Sequence, residues 1–351
     1  MKFAHFSHVW RKPGMSPSER YAQLWRELEL ADSLDYDYGF AVEHHFDPHE
    51  SLSSSPPLYV AGAAARTRRI RLGPMGWLVA LYDPLRVVEE IIALDNLTEG
   101  RLEVGLVSGV QPQHFAPYKA DFERRRELGI EGYQVLKAAC ASPESFSFEG
   151  PFHEYRDVTL QMGPYQRPHP PVWFETRHPP TLAYIASEGI NTGYVHYVPR
   201  DEMAVYYREY LDHWRAAGHP RSPNINYWIL VYVDETDDKA WEVAGPSWVY
   251  TYSEIAHVER LIESRMRRGE LRGAELLSHF KDPPYMREHG IGLIGSPATV
   301  AEKLRAYAEE GLFNTLFGEF NFGFLTEDQV MRSIRLFGEE VIPRLRDYEP
   351  Y

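Results

Sequence analysis

Short apolar runs alternate with longer segments of helical periodicity along most of the chain. Residues 2–6 open with a strand pattern, and a helix follows from Ser16-Pro17-Ser18-Glu19, where Ser16 caps, Pro17 suits the first helical position and Glu19 completes a capping box. Leu24, Leu28, Ala31 and Leu34 recur in it at helical spacing. Residues 39–42 read as a buried strand. The alternation continues with helix 57–66, strand 70–72, helix 84–97, strand 102–107 and helix 126–139. Strand patterns at 172–174, 192–195, 225–233 and 314–320 are separated by helical patterns at 181–187, 201–217 and 300–310.

Strand and helix thus alternate about eight times, and the short strands show little polar alternation. That predicts an α/β fold with a parallel sheet covered by helices, and eight units favour a closed (β/α)8 TIM barrel over an open sheet. A dinucleotide fold would need a G-x-G-x-x-G turn after the first strand, where the chain instead reads His5-Phe6-Ser7-His8-Val9-Trp10. Residues 142–156 predict an extra hairpin. Residues 234–295 form a long, charged insertion, equally readable as a lid over the site or as surface elaboration. With no linker or repeat, residues 1–351 are expected to form a single domain.

Charge and composition narrow the function. The 37 Lys and Arg against 51 Asp and Glu leave a formal charge of −14, which argues against nucleic acid or an anionic membrane as the main partner. A lone cysteine, Cys140, allows no intrachain disulfide. His5, Ser7 and His8 interrupt any apolar core of a signal peptide, and no run approaches the ~18 apolar residues of a membrane span. A cytoplasmic location is expected.

In a barrel the reactive groups gather at the carboxyl ends of the strands. There stand Glu43-His44-His45-Phe46, Val107-Ser108, Glu175-Thr176-Arg177, His196 and Glu319-Phe320-Asn321. An imidazole near neutrality serves as base, donor or ligand, and adjacent histidines on a strand face opposite ways, so only one of His44 and His45 is expected to face the cavity; the plainer alternative is that one caps the strand and the other is a solvated loop residue. His5, His8, Asp47, His49 and Glu50 add to this cluster, but metal barrels place His-x-His on one strand and neither histidine pair has that parity, so no metal is expected. Glu175-Thr176-Arg177-His178-Pro179-Pro180-Thr181 puts hydroxyls and a cation before a helix start, a natural phosphate cradle; the plainer alternative is that Thr181 or His178 only caps that helix.

Taken together these segments resemble the bacterial luciferase-like family of flavin-dependent monooxygenases. Glu43-His44-His45-Phe46, Ala61 to Ala65, Arg71-Leu72-Gly73, Asp83 to Glu90, Leu94-Asp95-Asn96-Leu97 and Gly100-Arg101-Leu102-Glu103-Val104-Gly105 follow at the family's spacing. Gly295 to Leu304 and Phe337-Gly338-Glu339-Glu340-Val341-Ile342-Pro343 resemble its ending. The resemblance implies a barrel that binds reduced FMN, delivered by a separate flavin reductase, and reacts it with dioxygen. The resulting flavin hydroperoxide would oxygenate a small or medium apolar substrate such as an aldehyde or a natural-product intermediate.

Carried over residue by residue, His44 matches the catalytic histidine, with Glu43 and His45 in support. Arg126 falls on an arginine that touches the flavin phosphate, while Glu175, Thr176, His178 and Thr181 occupy the phosphate loop and Arg101 is structural. Ser108 departs from the pattern by replacing an arginine, and Arg177 could supply the missing charge. Met75-Gly76 aligns with a non-proline cis peptide beneath the flavin ring. Trp10, Trp77, Tyr82, His114, Phe115 and Tyr118 lie in loops that could wall the substrate cavity. The Ala61-Gly62-Ala63-Ala64-Ala65 run implies a homodimer, unless those small residues pack on the protein's own barrel. The rival readings are a deazaflavin-dependent hydride-transferring oxidoreductase on the same barrel and a noncatalytic luciferase-type subunit.

Overall fold

The computed structural model describes residues 1–47, 49–142 and 144–351, so Pro143, in the predicted hairpin segment, lies outside the described residues. The strands are β1 (Lys2–Ser7), β2 (Tyr38–Ala41), β3 (Arg71–Pro74), β4 (Trp77–Leu78), β5 (Val104–Val107), β6 (Phe146–Glu149) and β7 (Glu154–Val158). They continue with β8 (Val172–Phe174), β9 (Thr192–Val195), β10 (Ile225–Val233), β11 (Leu293–Gly295) and β12 (Thr315–Glu319). One hydrogen-bonded path runs β11-β10-β12-β1-β2-β3 with β9 also on β10, and another runs β4-β5-β8; every pairing in both is parallel. Single parallel bridges at Leu72–Leu102 and Trp173–Asn191 stand between the two paths.

The sheet is strongly curled. Phe317 on β12 packs its ring 4.6 Å from Phe40 on β2, 5.5 Å from Phe6 on β1 and 5.5 Å from Trp173 on β8, so residues of four strands meet inside the curl. Those rings are buried, and burying them is the dominant favourable term in forming the sheet. Trp173 also keeps its indole N–H satisfied by donating to Glu103 Oε2 at 2.7 Å.

The helices form where the caps are. Helix Pro17–Ser33 starts on the expected capping box, with the Glu19 amide donating to Ser16 Oγ at 3.2 Å and the Ser16 amide to Glu19 Oε2 at 2.8 Å. Helix Pro179–Ser187 begins two residues before the predicted start, because prolines lack only a donor that a first turn does not use. The predicted hairpin forms as the antiparallel pair β6 and β7. The insertion is mostly helical, at Asp237–Tyr250, Val258–Arg267, Leu271–Ser278 and Pro283–Glu288. It ends in β11, a strand hidden in the sequence because Leu293-Ile294-Gly295 is too short to show a period. No described helix is long and apolar enough to cross a membrane.

In helix Pro56–Ala64 the small residues serve partly the chain's own packing: a side chain at Gly62 would meet the Trp25 ring at 2.9 Å. Leu58 on the same helix is 73% exposed. Cys140 is buried and unbridged.

Candidate active site

Just beyond β2, Glu43, His44 and His45 stand at the mouth of the curl, where the two imidazoles meet different carboxylates. His44 Nδ1 lies 3.0 Å from Glu50 Oε2, and its ring stands 5.4 Å from His114 and 5.6 Å from His8. His45 turns the other way and donates from Nε2 to Glu43 Oε1 at 2.7 Å, with the Tyr118 hydroxyl 3.5 Å from its Nδ1. Glu43 is buried and also accepts the Leu78 amide at 2.7 Å and the Tyr82 hydroxyl. Burial and that carboxylate raise the Tyr82 phenol far above its ordinary value.

The imidazoles are electrostatically distinct. Burial alone would depress His44, but Glu50, and after it Glu43 and Asp47, outweigh burial and raise its pKa. Glu50 resists burial in turn and is held at about 2, chiefly by His44. Burial, aided by the charge on His44, lowers His114 to about 4 and His8 to about 3. Of these three rings, His44 is therefore the one placed to carry a proton near neutrality.

β1 and β12 pair in register, Phe6 opposite Glu319, and this sets His8 against Glu319. His8 Nδ1 lies 2.7 Å from Glu319 Oε2, which also accepts the His8 amide at 3.0 Å. Directly after His8 the backbone turns at Val9 with φ 50°, a conformation that costs a β-branched residue on the order of 1–3 kcal/mol. The turn is held by the Val9 amide donating to Ser7 Oγ at 2.9 Å and by the Leu52 amide donating to Val9 O at 3.0 Å. It brings Trp10 onto His8, ring centres 4.7 Å apart. Beneath lies a buried polar network in which Glu27 takes Arg20 Nη1 at 3.2 Å, His5 Nε2 at 3.0 Å and the Asn321 amide, while Lys12 donates to Asn321 Oδ1 at 2.8 Å.

At the end of β8, Glu175 accepts the Asn226 amide at 2.9 Å, and burial raises its pKa against that bond. His178 Nδ1 is 2.9 Å from Thr181 Oγ1, and the His178 amide donates to Thr176 Oγ1 at 3.1 Å. Arg177 forms an ion pair with Glu270 of the insertion at 3.6 Å. Glu270 also pairs with Arg265 at 2.6 Å and Arg268 at 2.9 Å. Ser108 Oγ is 3.8 Å from where a side chain at Gly129 would sit, on the helix Arg125–Ala141 that also carries Arg126. Arg126 is exposed, and it is Arg125 that donates to Gly109 O at 3.1 Å.

At the end of β3 the Met75–Gly76 bond is cis. Of the residues expected to wall the cavity, Trp10, His114 and Tyr118 stand beside His8, His44 and His45, and Tyr82 ties down Glu43. Trp77 and Phe115 are buried, as Trp10 and His114 are, with Phe115 edge-on to Phe122 at 5.1 Å. A cavity of about 650 Å³ lies elsewhere, lined by His196, Arg200, Arg208, Tyr227, Arg272 and Tyr285 among others, and none of the residues assigned above to cofactor or substrate borders it. Among the described residues no group of three His, Cys, Asp or Glu side chains could hold a metal ion.

Sequence reasoning missed the Arg20–Glu27 network and the pairing of His8 with Glu319. A signal for the first existed: Arg20 and Glu27 fall on the same helical stripe as Leu24, Leu28 and Ala31, where a charged side chain must be buried and paired. For the second there was none, since the partners lie 311 residues apart.

Comparison with known proteins places the chain and its fold. A Sinorhizobium fredii protein, uncharacterized protein y4wF, is 34% identical over 195 residues, 56% of either chain, so this chain spans little more than half of that relative. The alkanal monooxygenase alpha chain of Photobacterium leiognathi is 24% identical over 363 residues, covering 99% of both chains. The crystal structure of monooxygenase RslO1 from Streptomyces bottropensis superposes with a TM-score of 0.82 at 25% identity, over 98% of this chain and 99% of that one. The oxygenating constituent of 3,6-diketocamphane monooxygenase from Pseudomonas putida, solved in complex with FMN, superposes with a TM-score of 0.80 at 20% identity, over 98% of each chain. Residues 1–313 match the family described as luciferase-like monooxygenase, and the chain belongs to that family of oxidoreductases.

Proposed function

We propose that this chain is the oxygenase component of a two-component system. It would use reduced FMN from a separate reductase, together with dioxygen, to oxygenate a small or medium organic molecule in the cytoplasm. The observation that carries this reading is His44, held 3.0 Å from Glu50 at the mouth of the curled sheet and flanked by two imidazoles that stay neutral. We read the sheet as the closed eight-unit barrel; the single bridges at Leu72–Leu102 and Trp173–Asn191 favour it.

The residues present fit a flavin. Asn226 Oδ1 and His114 Nε2 are buried polar atoms without a partner within the protein, and a polyhydroxylated, polar-edged group supplies partners for both. Arg126, Thr176, Arg177, His178 and Thr181 would hold the phosphate, Ser108 and Glu175 the sugar-like chain, and Met75 and Gly76 would lie under the ring. When bound, FMN supplies the two electrons that activate dioxygen.

Around it the chain's own groups divide the work. His44 holds or moves a proton at its ring, and Glu50 keeps the protonated form available. Glu43 orients His45. The insertion excludes water, tied across the mouth by Arg177–Glu270 on one side and by His257 at 4.0 Å from Asp47 on the other. Exposed Leu58 on the helix Pro56–Ala64 is consistent with a homodimer through that helix.

The test is anaerobic binding of reduced FMN, then oxygen consumption and product analysis on a panel of aldehydes, ketones and aromatics. Oxygen-dependent product formation is the expected result. Hydride transfer from a reduced deazaflavin without oxygen, as for an enzyme like the F420-dependent secondary alcohol dehydrogenase that shares this fold, would overturn it. Reduced FMN bound with no product from any of the panel would point to a noncatalytic subunit.

A further inference from the structure

Besides His44–Glu50 and His45–Glu43 the mouth holds a third carboxyl–imidazole pair, opposite in character to the first. Glu319 is fully buried, and among the described residues its ion-pair contact is His8 alone, at 2.7 Å. The nearby ionisable groups Arg20 and His5 are both directed to Glu27 instead, at 3.2 Å and 3.0 Å. A carboxyl with no cation to itself keeps its proton, and burial accordingly raises the Glu319 pKa well above the ordinary range while His8 falls to about 3. Glu319 Oε2 lies 2.7 Å from His8 Nδ1, so the protonated acid can donate to that nitrogen and place the ring hydrogen on Nε2.

Two indoles close on that ring. Trp10 stacks at 4.7 Å and Trp228 tilts at 4.8 Å, and the Nε1–H of each is buried without an acceptor. Two buried indole N–H donors without an acceptor thus stand on the rings beside His8. The nearby positive charge, on His44, is already matched by Glu50 at 3.0 Å. Donors without surplus charge suit a neutral oxygen: an anion would find no counterion, and a hydrocarbon would leave the donors unpaired.

We propose that His8, Trp10 and Trp228 form a subsite that binds a neutral carbonyl oxygen of the substrate, with Glu319 as the positioning residue that fixes the His8 tautomer. This rests on the oxygenase reading of the same mouth and deepens it by naming the functional group recognised.

The probes are cyclohexanone and methylenecyclohexane, which share a shape but only one of which carries an acceptor. Each is titrated into the full-length protein labelled with 15N at tryptophan and histidine. Expected are an Nε2–H tautomer for His8, and shifts of the Trp10 and Trp228 indole N–H resonances with the ketone at least tenfold larger than with the alkene. Glu319→Leu should mix the His8 tautomers and weaken the ketone at least tenfold, and Glu319→Gln, whose amide still donates to Nδ1, should restore both. Equal responses to the two probes, no ketone response, or an Nδ1–H tautomer in the unmodified protein would overturn the proposal. None of these readouts needs FMN, so loss of the flavin reading and loss of the subsite are separately visible.

Discussion

Glu43 Oε1 and His45 Nε2 are 2.7 Å apart, and the same carboxylate takes the Leu78 amide and the Tyr82 hydroxyl, so one buried acid ties the loop after β2 to the end of β4. Its worth is that of several charge-assisted hydrogen bonds made out of water.

Glu43→Ala would leave the Leu78 amide and the Tyr82 hydroxyl without an acceptor. Each buried unpaired group costs about 1–3 kcal/mol, so a loss of about 3–5 kcal/mol is expected in denaturant unfolding, against about 1–2 kcal/mol for Tyr82→Phe. Equal and small losses in both would show that Glu43 is not the hub.

Glu50→Gln should lower the His44 pKa, because the largest force raising it is removed. A histidine-resolved NMR titration reads this directly. In the wild type the raised His44 contributes stability that is complete below its unfolded value and is lost as pH rises through the folded one. Glu50, held at about 2, contributes stability present above its unfolded value and lost as pH falls toward 2. A titration unmoved by Glu50→Gln would detach the two residues.

Glu319→Gln should gain stability relative to wild type as pH rises from 5 to 8. Burial raises the folded Glu319 pKa, so wild-type stability declines as pH rises above the unfolded carboxyl value toward the folded one, whereas the amide has no proton to lose. A variant that becomes progressively less stable toward pH 8, by thermal melting, would mean an ionised Glu319.

Arg177→Ala and Arg126→Ala should each weaken FMN about 10- to 100-fold, the worth of one charge-assisted contact, and leave riboflavin nearly unchanged. Freed from Glu270, Arg177 also gains, so Glu270→Gln should tighten FMN. Parallel losses for FMN and riboflavin would place both arginines away from the phosphate.

Leu58→Asp sets a charge on an exposed apolar position of the helix Pro56–Ala64. With the homodimer proposed above, sedimentation should show a dimer for the wild type and a shift toward monomer for the variant with the fold intact; a monomeric wild type, or a dimer unchanged in the variant, would remove this interface.

Much of this was written in the chain itself. Local pattern determined the alternation of strand and helix, the Ser16–Glu19 cap, the β6–β7 hairpin and the presence of imidazoles at the end of β2, because caps, periodicity and pleat act over a few residues. The cis Met75–Gly76 bond was legible through family resemblance. Tertiary structure alone decided which charge each imidazole meets. His44 was given Glu50 and becomes basic, His8 was given a buried Glu319 without a counterion and stays neutral, and Arg177 was given to Glu270 of the insertion. Those partners sit from 6 to 311 residues away along the chain, and whether a carboxyl keeps its proton depends on burial and on neighbouring cations, which exist only once the sheet has curled.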